Sequence, residues 1–159
     1  MRRIIALAVA VLALVLISAL PASATSSHAP KPDGDGVHFD QLLPAGTACS
    51  FDVVAHVFND QDAWVSNGRL MFYGYGSVRL VNQSNGHSVW RLTDGPGYVD
   101  LATGVAHDRG RWIVEVHAHA GKAARLLFVT GTFDTSPLYD VPFNIKKGTR
   151  IEDACALIA

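Results

Sequence analysis

The chain has 159 residues, with 13 Lys and Arg, 14 Asp and Glu, seven His and two Cys. Arg2 and Arg3 are the only charges in the first 24 residues, so the remaining 135 carry 11 basic and 14 acidic groups, a net charge of −3. That balance argues against a nucleic-acid partner held by phosphate neutralisation, and 135 residues suit a single domain with one main core.

The leader comes first. Ile4 to Ile17 form an unbroken apolar run of 14 residues, followed by Pro21 and the small-x-small triplet Ala22-Ser23-Ala24. A membrane-spanning helix needs about 20 apolar residues, whereas a basic start, a short apolar run and this triplet describe a cleavable signal peptide over residues 1–24. The expected product is secreted, with no membrane span after signal removal. Residues 25–46 are rich in Ser, Pro, Asp and Gly and read as a flexible N-terminal arm. Asp33 and Asp35 begin like a calcium loop, but Val37 and His38 break the pattern. Residues 47–159 read as a single β domain.

From Cys49 onward the pattern has period two. Phe51, Val53, Ala55 and Val57 share one face of a predicted strand. Ser66-Asn67-Gly68 is a predicted turn, and Arg69 to Asn82 is β-rich, with Gly74 and Gly76 predicting a bend or bulge. Asn82 to Gly86 turns the chain into Ser88–Thr93 as a hairpin. Asp94-Gly95-Pro96-Gly97 predicts a second turn, Tyr98–Leu101 a short strand, and Arg111–Ala120 the clearest strand. Arg125–Thr130 runs back and extends past Gly131 to Phe133. Tyr139–Phe143 predicts an edge strand, restricted by Pro142. The closing Ile151–Ile158 predicts a helix, capped by Gly148-Thr149 with Glu152 and Asp153 in its first turn.

Short strands joined by tight turns, with no helices between them, exclude a doubly wound α/β fold. The expected class is all-β: an antiparallel β-barrel, or alternatively a β-sandwich, with a short C-terminal helix tied back by a disulfide. Cys49 and Cys155 are the only cysteines, and an exported chain meets an oxidising environment, so they predict one bridge.

Several segments resemble small secreted proteins of high-GC Gram-positive bacteria that have no assigned activity. They are Cys49-Ser50-Phe51, Leu80-Val81-Asn82 with Gly86-His87-Ser88, Gly95-Pro96-Gly97, Thr103-Gly104 and Asp153-Ala154-Cys155-Ala156-Leu157. The resemblance implies export, the disulfide and the β fold, and carries over no catalytic residue.

One strand segment carries candidate chemistry. In Glu115-Val116-His117-Ala118-His119, alternate residues share a face, so Glu115, His117 and His119 project together. Two imidazoles so placed suit a divalent metal, with His56, which shares a face with Asp52, as a third ligand. The simpler reading is the wet face of a half-exposed strand. Aromatic residues Phe72, Tyr73, Tyr75, Trp90, Tyr98, Trp112 and Phe128 fit a core, or a cavity or flat surface for a small ligand. The leading expectation is a secreted, non-enzymatic binding domain for an extracellular small molecule or protein, with no cofactor required. The alternatives are a metal-assisted or acid–base enzyme using Glu115, His117 and His119, and a structural protein of the cell envelope.

Overall fold

The computed structural model describes residues 35–118, 122–135 and 142–159. The expected leader, His119 and the Tyr139–Val141 part of the predicted edge strand lie outside the described residues. The elements are β1 (Val37–Leu43), β2 (Val53–Ser66), β3 (Arg69–Asn82), β4 (Ser88–Asp94), β5 (Gly97–Asp100), β6 (Ala106–Val116), β7 (Arg125–Thr135), β8 (Arg150–Asp153) and α1 (Ala154–Ile158). The class expected from the sequence is the one observed: an antiparallel all-β fold with a C-terminal helix and a Cys49–Cys155 disulfide.

A long hairpin dominates the first half. Asn67 and Gly68, both at positive φ (50° and 71°), make the two-residue turn that joins β2 to β3, as a primed hairpin turn requires. Pairing runs without interruption from Val53↔Asn82 to Ser66↔Arg69, so the bulge expected at Gly74 or Gly76 is absent. β1 adds to the outer side of β2, from Val37↔Asn59 to Leu43↔Val53. The arm expected through residue 46 is therefore corrected: residues 37–43 are an edge strand. Most of their side chains are exposed, which is why their composition reads as linker.

The pairings β3–β4, β4–β6, β6–β5 and β5–β3 close a four-strand antiparallel barrel, with β1, β2, β7 and β8 outside it. The closure is local. Tyr75↔Asp94 and Phe72↔Gly97 keep one register against β3, so β4 and β5 lie end to end in one row. The turn expected at Asp94–Gly97 is thus a break within a row, with no reversal of the chain. Four glycines of neighbouring rows meet at this level. Gly95 N donates to Gly74 O at 3.2 Å, Gly95 and Gly110 approach each other, and Gly110 pairs with Gly131. All four have φ between 125° and 153°. A Cβ on Gly110 would sit 2.1 Å from Asp94 O, so only glycine permits this approach.

Two apolar clusters flank the sheet. The first gathers Val53, Ala55, Val78 and Leu80 with Leu126, Phe128, Ala154 and Ile158. The second gathers Val116, Leu127, Val129 and Phe133, with Trp112 and Val114 against it. Residues Leu126–Val129 of β7 are all buried and alternate between the two clusters. Strand β6 also serves both, through Ile113 on one side and Trp112, Val114 and Val116 on the other.

The C-terminus closes the first cluster. Asp153 caps α1 by accepting from Ala156 N at 3.2 Å, and Ile151 and Glu152 belong to β8, so the helix starts later than its composition suggests. Thr149, the expected cap, instead bonds Thr132 through its hydroxyl, accepting from N at 3.1 Å and donating to O at 3.0 Å. Asn82, 1% exposed, donates to Ile158 O at 2.9 Å and accepts from Ser84 N. The disulfide spans 106 positions with a Cα–Cα distance of 5.6 Å. Among the described residues no helix is long and apolar enough to cross a membrane.

Candidate functional site

The histidines singled out by the sequence are dispersed. His117 lies just past the end of β6, with Nδ1 3.6 Å from Glu115 Oε1. His56 sits on β2 and pairs through Nδ1 with Asp40 of β1 at 2.7 Å, while Asp52 accepts from Ala45 N. Strands β3 and β4 stand between β2 and β6, so His56 and Asp52 are not brought to the Glu115–His117 pair. Among the described residues no three metal-ligating side chains are grouped.

A different set of residues converges. Register places Met71 opposite Tyr98, Tyr98 opposite His107 and His107 opposite Asp134. These four form one cross-strand row and share a face of the sheet. The Tyr98 and His107 rings stack at 4.5 Å and 30°, and the Arg69 guanidinium lies 4.5 Å from the Tyr98 ring centroid. His107 Nδ1 is 2.8 Å from Asp134 Oδ1. A carboxylate only accepts, so Nδ1 carries the proton and donates. In the neutral ring this leaves Nε2 as an acceptor.

The segment 142–149 closes over the row. Asp134 and Phe143 exchange backbone hydrogen bonds of 2.9 and 2.8 Å, and Lys146 N donates to Thr132 O at 3.0 Å. Asn144 Nδ2 donates to Asp134 Oδ2 at 2.7 Å, and Lys146 Nζ donates to Asn144 Oδ1 at 2.9 Å. The result is a cleft of about 380 Å³ floored by Met71, Pro96 and Tyr98, with His107, Arg109 and Lys146 around it. That volume lies in the range of small-ligand sites, ~300–1,000 Å³.

The neighbouring row turns to the opposite face: Phe72↔Gly97, Gly97↔Asp108 and Asp108↔Phe133. Asp108 is 8% exposed. Burial among these rings pushes its carboxyl up to about 6, helped by the Asp134 charge and opposed by a hydrogen bond from Thr135 and by His107. Trp112 packs edge-on against Phe72 at 5.3 Å, and its buried Nε1 has no partner among the described residues. Nearby, Arg111 Nε donates to Asp94 Oδ1 at 2.7 Å, which holds the Asp94 carboxyl below its ordinary value.

A shallower hollow of about 220 Å³ lies on the outer face of β1–β4, with His38, Asp40, His56, Arg79 and Trp90 among its walls. Trp90 is 54% exposed there.

Local sequence pattern starts the predicted strand at Arg111, after His107, reads the basic stretch from Lys146 to Arg150 as a solvated loop rather than an anion site, and gives no signal at Asp134 or Asn144. Their relation depends on strand pairing across 27 positions, and no local spacing encodes it. No family model, no curated protein and no solved structure matches the chain.

Proposed function

We propose that the chain is a secreted, non-enzymatic binding domain that takes a small extracellular ligand in the cleft beside Tyr98 and His107. The observation that carries this reading is the convergence of His107, Asp134, Asn144 and Lys146 over an apolar floor, fixed by a chain of three side-chain hydrogen bonds. Such pre-organisation lowers the ordering cost of binding. The disulfide suits an oxidising compartment.

The test is a thermal-shift screen of glycans, lipids and peptides against the native protein and the His107→Ala and Asn144→Ala variants. A ligand should raise the Tm of the native protein, and that gain should vanish in both variants. A ligand whose effect survives in both variants overturns the assignment of the cleft.

A second reading, an acid–base enzyme, is favoured by the His107–Asp134 pair. A carboxylate that orients an imidazole through Nδ1 leaves Nε2 to exchange a proton with a bound substrate. Turnover lost in His107→Ala, with no equilibrium ligand in the screen, would select this reading over the first.

A further inference from the structure

We propose that the cleft selects an acidic saccharide, a ring that carries a carboxylate next to a hydroxyl; this rests on the binding-domain reading above.

Asp134 has both oxygens engaged, one by His107 and one by Asn144. Asn144 in turn uses its amide nitrogen on Asp134 and its oxygen on Lys146. Asp108 also lines the cleft, from the neighbouring row, and accepts from Thr135. Each acidic group at the cleft therefore already accepts a hydrogen bond. Among the described residues the cationic ones keep donors to spare. Arg109 lines the cleft with no ion-pair partner among the described residues. Lys146 has spent one of its three N–H groups on Asn144. Beside these carboxylates the cleft offers a ligand the spare donors of Arg109 and Lys146, which call for an anionic acceptor.

Two further features narrow the class. In its neutral form His107 presents Nε2 as an acceptor, which takes a donor on the ligand, and a hydroxyl beside the carboxylate provides one. Met71 and Pro96 give the lining an apolar side that suits the C–H face of a sugar ring, while the Tyr98 ring is already covered by His107 and Arg69. A bare anion satisfies the cations but leaves both Nε2 and the floor unused.

The experiment is calorimetric titration of the intact disulfide-bonded protein with digalacturonate, its methyl ester and inorganic phosphate. The ester keeps rings and hydroxyls and removes the charge. Digalacturonate should bind about tenfold more tightly than the ester or phosphate. Arg109→Gln and Lys146→Gln should each weaken it several-fold. Both residues are exposed, so the variants should fold. Arg79→Gln, in the outer hollow, should leave affinity unchanged.

Equal affinity for acid and ester overturns the acidic class but leaves the cleft reading standing. Phosphate binding as tightly as digalacturonate overturns the saccharide part. Digalacturonate binding that fails in Arg79→Gln and survives in Arg109→Gln overturns both the inference and the placement of the ligand. No binding of digalacturonate, beside a neutral ligand lost in His107→Ala, overturns the inference alone.

Discussion

The two apolar clusters are built to different standards. The first, between the long hairpin and α1, buries one polar side chain, Asn82, which is hydrogen-bonded to Ile158 and Ser84. The disulfide fastens it from both ends. The second adjoins the Asp108 carboxyl, 8% exposed, and the Trp112 Nε1 that lacks a partner among the described residues. Buried polar groups of this kind cost stability unless fully paired. One region therefore secures the fold, while the other carries unfavourable terms beneath the cleft.

Removing the staple should have the largest effect on this contrast. Cys49→Ser with Cys155→Ser frees a loop closed over 106 positions, for which the chain-entropy model gives about 4–5 kcal/mol. Chemical denaturation should show that loss. A change below about 1 kcal/mol would mean that the first cluster holds without its tie.

Asp108 comes next, and its sign is opposite to that of a paired surface carboxylate. Its folded-state value is about 6, against about 4 in an unfolded chain. Below pH 4 both states are protonated and nothing is lost. Between pH 4 and 6 the unfolded chain releases the proton while the folded protein keeps it, so stability falls as pH rises, by about 3 kcal/mol in total. Asp94, held low by Arg111, stabilises above its unfolded value and acts only as pH drops under 4. Asp108→Asn should abolish the loss between pH 4 and 6 and raise stability at pH 7. Urea melts at pH 4, 5, 6 and 7 decide this, and a native curve flat across that interval would remove the contrast between the clusters.

The smallest effect belongs to the helix cap. Asp153→Ala should cost about 1 kcal/mol and speed exchange of the Ala156 amide, which its carboxylate accepts from. Exchange that spreads into the cleft rather than staying at α1 would show the two clusters to be coupled.

Parts of this architecture are legible in the amino-acid sequence itself. The bounds of β3, the Asn67-Gly68 hairpin and the cysteine pair follow from local rules: alternation, a two-residue turn and an even count. Strand β1 is hidden there because an exposed edge strand has no apolar face to betray it. Gly95-Pro96 announces a break, but composition marks where a row is interrupted and does not say whether the chain turns back. Helix α1 is shorter than its composition suggests because Ile151 and Glu152 pair with Val129 and Phe128, a contact that outweighs their helical propensity. The cleft is invisible for a deeper reason. Tyr98, His107, Asp134 and Asn144 become neighbours only once four rows are in register, whereas Glu115, His117 and His119 stand out by adjacency alone.

That dependence on register returns to the line of Gly74, Gly95, Gly110 and Gly131. Each lets a neighbouring backbone come closer than any side chain would permit. Sliding one strand by a single step would set Asp94, Arg109 or Thr130 where a hydrogen is all that fits. The line thus works as a key cut for one alignment, rejecting near-miss pairings by collision, and the aligned strands that admit it are the same ones that assemble the row from Met71 to Asp134.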